Sequence, residues 1–146
     1  MKQFFALMTA VLVLGSAMSV QARDDIRDYV VADVLATEKA KEILGEDIRF
    51  YFGEQKYPAV SKKIGEIRTN KKTNGVGKSD QEACEWVFLS AMKALREHAQ
   101  SKGANAIVNI RSNYRNNTTS STTTFQCGSG AIMSGTALIG DVVILK

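Results

Sequence analysis

The chain has 146 residues, with 19 Lys and Arg against 15 Asp and Glu, one His and two Cys. That length suits one modest domain that buries a core without a dense set of disulfides, because a domain near 150 residues buries roughly two thirds of its unfolded surface. A formal charge of +4 falls well short of the balance of a dedicated nucleic-acid binder, so no nucleic acid is expected as a partner, while adhesion to lipid headgroups or cell wall stays open.

Residues 1–22 read differently from the rest. Lys2 gives a positive start, Phe4 to Leu14 is a nearly unbroken apolar run, and Val20-Gln21-Ala22 has the small-residue pattern of a signal-peptide cleavage site. The run is too short to be a permanent membrane span. Cleavage near Ala22 leaves 124 residues, 18 of them basic and 15 acidic. The expected product is a single domain, residues 23–146, in the periplasm or outside the cell, with no transmembrane segment. No Cys stands at the cleavage point to take a lipid. ATP and reducing equivalents are scarce in that compartment, which argues against ATPases and nicotinamide enzymes.

The mature chain begins with a charged segment, residues 23–45, in which Tyr29, Val30 and Val31 can extend and Thr37 to Leu44 form a short helix closed by Gly45. Ile48, Phe50 and Phe52 then alternate with Arg49 and Tyr51, a strand ended by Gly53 and Pro58. A second strand runs over Ile64 to Asn70, and residues 69–80 form an exposed polar stretch. Ser79 followed by Glu82 is a capping-box pattern. A long helix over residues 80–102 follows from Cys84, Val87, Phe88, Ala91, Leu95 and Ala99, with Trp86, Leu89 and Met92 widening its apolar stripe. Beyond Gly103 the period is two: residues 105–111 read as a strand, 112–124 as a polar hairpin, 122–127 as a strand, and 131–145 as the last, with Gly135 and Gly140 at bends or bulges. The expected fold is α+β, one long helix packed on a mostly antiparallel sheet of about five strands, with a mixed sheet as the open alternative.

Cys84 and Cys127 are the only thiols and both fall on predicted buried faces, so an oxidising compartment favours their pairing over a redox or metal role. Gly75-Val-Gly77-Lys78-Ser79 imitates a phosphate-binding loop, but Lys72 stands where such a loop needs Gly and no apolar strand precedes it. Nucleotide hydrolysis is therefore not expected, and no cofactor is implied. His98 is alone. With a carboxylate such as Glu97 it could ligate a metal, though such sites usually collect several ligands. No flanking pattern singles out a catalytic nucleophile.

Between Lys56 and Lys78 the chain carries seven basic residues against one acid, Glu66. Lys62, Lys63, Arg68, Lys71, Lys72 and Lys78 are the candidate anion-docking patch, set against the simpler reading of a solvated connection whose lysines maintain solubility.

Residues 99–108, Ala-Gln-Ser-Lys-Gly-Ala-Asn-Ala-Ile-Val, followed by Gly135-Thr-Ala-Leu, resemble the YbjQ family of small proteins named for heavy-metal binding, and the RcsF-like signalling domain of envelope-stress sensors. The resemblance covers roughly residues 80–140. It implies a long helix entering a strand through the Ala-Asn-Ala segment, and it places Cys84 and Cys127 as partners of one of the sensor's two disulfides. Residues 46–78, with Phe50-Tyr-Phe-Gly and Thr69-Asn-Lys-Lys-Thr-Asn, are similar to uncharacterised secreted bacterial proteins, some labelled as excision-nuclease ATPase subunits. The expectation is a non-enzymatic envelope protein that binds another protein or an anionic polymer or lipid surface, with self-association left open. A metal-binding protein, or an enzyme acting on an envelope substrate, is the alternative.

Overall fold

A computed structural model describes residues 23–146, and the expected signal peptide lies outside the described residues. In chain order the elements are β1 (Asp25–Val30), α1 (Val31–Leu35), α2 (Glu38–Leu44), β2 (Arg49–Phe52), β3 (Val60–Asn74), α3 (Asp80–Ser101), β4 (Ala106–Ser112), a 3-10 turn at Tyr114–Asn116, β5 (Thr124–Ser129) and β6 (Met133–Leu145). The expected cap at Ser79 is present, and Thr37, expected inside the short helix, caps it instead. Thr37 Oγ1 accepts from the Ala40 N–H at 3.2 Å and Ser79 Oγ from the Glu82 N–H at 3.0 Å, each satisfying an orphan donor of a first helical turn.

The last strand organises the sheet. β6 pairs antiparallel with β3 from Met133 to Leu145; on its other edge it meets β5 at Ser134 and Gly135, then β4 from Leu138 to Val143. β1 extends the sheet beyond β5, antiparallel, and β2 beyond β4, parallel. The result is a small α+β domain whose long helix α3 packs on a curled, mostly antiparallel sheet of six strands.

Alternation along the strands divides the apolar side chains between two faces. Ile107, Ile110, Phe125, Leu138 and Val142 face α3 and form the main core with Val87, Phe88, Met92 and Leu95. The Phe88 and Phe125 rings stack at 3.9 Å between centroids, joining helix to sheet at its centre. The opposite face carries a smaller cluster of Ala106, Val108, Val143 and Leu145, flanked by Tyr51 and Val60. β4 is thus covered on both sides.

Cys84, in the helix's second turn, and Cys127 of β5 form a disulfide, with Cα atoms 5.9 Å apart. Gly140 marks where β4 bulges: its register against β6 shifts between Val108 and Arg111, and a Cβ on Gly140 would come within 2.5 Å of Ile107 Cγ2. A Cβ on Gly135, by contrast, would find its nearest neighbour at 3.4 Å, so close packing at the sheet centre falls on Gly140.

Four expectations need correction. The second strand is 15 residues long, and Thr69 to Asn74 belong to it despite their polarity, because β6 supplies pairing partners along the whole length. Val31 opens a helix rather than extending β1. Residues 112–124 do not form a hairpin: a single bridge joins Ser112 and Thr119, and the run then folds against Gly53 through the Gln55 Nε2 donation to the Thr122 C=O at 2.8 Å. Trp86 does not widen the buried stripe. It is 48% exposed, with Lys39 Nζ 3.1 Å above its ring, while Leu89 and Met92 are buried as expected.

Candidate functional site

On the sheet face away from α3, Gly128 of β5 and Gly135 of β6 are cross-strand partners. Two adjacent positions without Cβ atoms leave a flat floor, and the Tyr114 ring lies over it: a methyl added at Gly128 would overlap that ring. Tyr114 is placed by the 3-10 turn after β4, which the Asn113 N–H fastens to the sheet by donating to the Ala137 C=O at 2.8 Å. Thr118 Oγ1 donates to Asn113 Oδ1 at 2.9 Å and steadies the turn from its other side. Arg115 and Asn116 both have positive φ, 53° and 60°. Asn tolerates that region; Arg does so at a cost, of order 1 kcal/mol or more.

The turn places Tyr114 and Arg115 at a cleft of about 790 Å³ that is also lined by Arg23, Asp24, Lys72, Gly128, Gly130, Met133, Ser134 and Gly135. Arg23 comes from the start of the described chain and pairs with Asp25 at 2.7 Å and with Asp80 at the start of α3. Arg115 pairs with Asp24 at 2.5 Å. Lys72, opposite Gly135 on β3, enters the cleft outside these pairs. Partial burial, followed by the Asp24 charge, pushes the Tyr114 hydroxyl above its ordinary pKa, so it stays protonated and able to donate at neutral pH. Three cations and a phenol therefore converge on a floor of backbone, a chemistry suited to holding phosphate or carboxylate oxygens.

The six residues of the candidate basic patch are not on one face. Strand alternation turns adjacent Lys71 and Lys72 to opposite sides of the sheet. Lys71 is on the α3 side, toward Glu97, whose carboxyl is held below the usual range chiefly by the hydrogen bond and charge of Lys93, with Lys71 the smallest contributor. Arg68 Nε donates to Glu66 at 2.9 Å, and Glu66 in turn pairs with Arg111 at 3.0 Å, so Arg68 is held in an ionic ladder across the outer face. Lys62 and Lys63 lie near the far end of β3, roughly 30 Å along the strand from Lys72 at about 3.3 Å per residue. Lys78 Nζ donates to the Asn74 C=O at 3.1 Å in the turn after β3. Lys72 and Lys78 are thus the two gathered at the cleft end, with Arg23 and Arg115.

Arg23, Asp24, Tyr114 and Arg115 were not singled out from the sequence. One signal was present: Tyr114-Arg115 interrupts a run otherwise made of Ser, Asn and Thr.

Near the disulfide, Ser129 and Ser134 are buried with their hydroxyls 3.0 Å apart. Thr136 Oγ1 donates to the Gln126 C=O at 2.6 Å. Burial, and then the charge of Asp80, raises the Tyr29 hydroxyl pKa beside this group. Ser129 and Ser134 thus satisfy each other, and Thr136 a main-chain carbonyl, inside the sheet. The loop that imitates a phosphate binder does not cradle an anion with its backbone: Ser79 is committed to the helix cap, and Lys78 gives one of its three ammonium donors to the Asn74 C=O, leaving an exposed charge. His98 is half-buried near the end of α3.

Among the described residues no group of three or more His, Cys, Asp or Glu side chains could hold a metal ion, and no helix is long and apolar enough to cross a membrane. No family model, curated protein or solved structure matches the chain.

Proposed function

We propose that the protein is a non-enzymatic binding module of the cell envelope, released into the periplasm or the exterior after cleavage near Ala22, that holds an anionic component of the envelope in the Tyr114 cleft. The observation that carries this reading is the convergence of Arg23, Lys72 and Arg115 on the glycine floor beneath Tyr114. The Cys84–Cys127 bridge supports an oxidising compartment. The bridge from α3 to the sheet corresponds to one of the two disulfides that the resemblance to RcsF-like domains implies, and kinship with the YbjQ and RcsF-like domains is part of the proposal.

Because Arg23 and Arg115 already hold carboxylates, Lys72 is the cation whose field is least compensated within the cleft. Co-sedimentation of the processed protein with peptidoglycan at 0.01 M and 0.15 M salt tests the reading, since the Debye length falls from about 30 Å to about 8 Å between them. Binding that weakens with salt and is lost in Lys72→Glu supports it. Equal sedimentation of parent and variant at low salt rejects it.

A protein partner is the second reading, favoured by one feature. Among the described residues β3 pairs only with β6, which leaves one edge of a 15-residue strand unpaired, and the strand carries lysines. Lysines on such an edge oppose pairing with like chains but would accept an extended acidic segment. Direct binding of an acidic peptide that is lost in Lys63→Glu, and kept in Lys72→Glu, would favour it.

A further inference from the structure

The turns at one end of the β3–β6 ribbon present bare aliphatic side chains. Val76 and Ile132 are each 63% exposed, the highest values among the large apolar residues of the described chain, and Met133 beside them is 43% exposed. Scattered exposed apolar residues need no explanation. These are not scattered. The Gly75 N–H donates to the Ile132 C=O at 2.8 Å, so the turn after β3 and the turn before β6 advance as one tip. Nor are they loose: the Val76 N–H donates to Asn74 Oδ1 at 2.8 Å, the Lys78 N–H to the Gly75 C=O at 3.1 Å, and the Gly130 N–H to the Met133 C=O at 2.8 Å. A backbone that satisfies its own polar groups can enter a less polar medium without the desolvation cost that open turns would meet.

Cations stand just behind the aliphatic tip. Lys78 closes the same turn through its ammonium, Lys72 shares the adjoining cleft with Met133, and the Arg23 backbone lies against Gly130. Lysine stems can run along an apolar surface while their heads reach phosphate, the arrangement found where proteins rest at the headgroup boundary. A protein partner would more often be met by aromatic and Arg anchors in a concave, well-packed patch, and this tip is convex and aliphatic.

We propose that this tip docks the protein on an anionic bilayer, Val76 and Ile132 entering the headgroup boundary while Lys72 and Lys78 engage lipid phosphates. The inference rests on the anionic-ligand reading above and commits it to a lipid surface. It makes the cleft and the tip parts of one docking face, with Lys72 common to both.

The test is flotation with vesicles of phosphatidylglycerol and phosphatidylcholine in equal parts, and of phosphatidylcholine alone. It uses protein purified from the envelope, with removal of residues 1–22 verified by intact mass, so that the N-terminal apolar run cannot bind in place of the tip. Parent protein is expected to float with the anionic vesicles and not with the neutral ones. Val76→Ser with Ile132→Ser, at an unchanged melting temperature, should weaken binding about tenfold, and Lys78→Glu by about fivefold or more. Equal flotation of the parent and the double Ser variant overturns the tip; if Lys72→Glu still loses peptidoglycan, the cleft reading survives. Binding to peptidoglycan without any binding to vesicles also overturns the tip alone. Capture of an envelope protein through Val76 and Ile132, with no vesicle binding, would assign the tip to a protein partner instead.

Discussion

The Tyr114 ring lies across Gly128 so closely that β5 could carry no larger residue there without moving the ring. The two are 14 positions apart in sequence and the turn that delivers Tyr114 is strained at Arg115. Gly128 is therefore a site residue through what it lacks. Gly128→Ala is expected to swing the flexible ring outward and open the cleft, with a modest loss of stability because a surface-facing ring can give way. Gly140→Ala places its methyl against buried Ile107, where nothing can give cheaply, and should cost about 1–3 kcal/mol. Denaturant unfolding of both variants, with ligand binding measured on each, separates the two effects. Loss of binding in Gly140→Ala alone would contradict them.

The disulfide closes a loop with a sequence separation of 43, for which loop-closure entropy gives on the order of 4 kcal/mol. Cys84→Ala with Cys127→Ala should lower the unfolding free energy by about 2–4 kcal/mol while leaving the fold intact. Alkylation in denaturant should add no groups before reduction and two after it. Two groups without reduction would contradict the bridge.

Asp47 links the connection between α2 and β2 to the long helix. Burial alone would raise its pKa, but hydrogen bonds from Arg96 at 3.0 Å and from Gln100 outweigh it and hold the carboxyl below its ordinary range. A carboxylate with a lowered folded pKa stabilises above its unfolded pKa, near 4, and that contribution fades as pH falls through the folded value. The melting temperature of the parent should therefore fall more steeply below about pH 4 than that of Asp47→Asn. Parallel acid profiles would show that the contact contributes nothing.

The Ser79 hydroxyl is the side-chain cap at the start of α3. Ser79→Ala should cost about 1 kcal/mol and Ser79→Asp little or nothing. The same pair distinguishes a cap from a phosphate-binding serine, since an Asp would repel phosphate. Loss of inorganic-phosphate binding in Ser79→Ala as well as in Ser79→Asp would make the Ser79 hydroxyl a phosphate ligand, against its commitment to the helix cap.

Local signals made α2 and α3 legible in the sequence, because caps, apolar period and terminating glycines all lie within a few residues of one another. The disulfide was legible from compartment and count. β3 was legible only where Ile64 and Ile67 mark its inner face. Its remaining length, Thr69 to Asn74, has no apolar alternation, and the pairing that makes it a strand comes from β6, roughly 60 to 70 residues later. The basic residues were visible as a run but not as a surface, since strand alternation and the Glu66–Arg111 ladder divide them. The cleft was not legible at all. It brings Arg23, Lys72, Tyr114 and Gly128 together from four segments, and only the sheet order does that.

The central claim is that the anionic ligand is held in the cleft beside Tyr114, and a titration of the 15N-labelled processed protein with short-chain polyphosphate at low salt addresses it residue by residue. Amide shifts should cluster at Lys72, Tyr114, Arg115, Gly128, Ser134 and Gly135, saturate together, and vanish in Lys72→Glu. Shifts confined to Lys62 and Lys63, or spread evenly over every exposed lysine, would contradict the account.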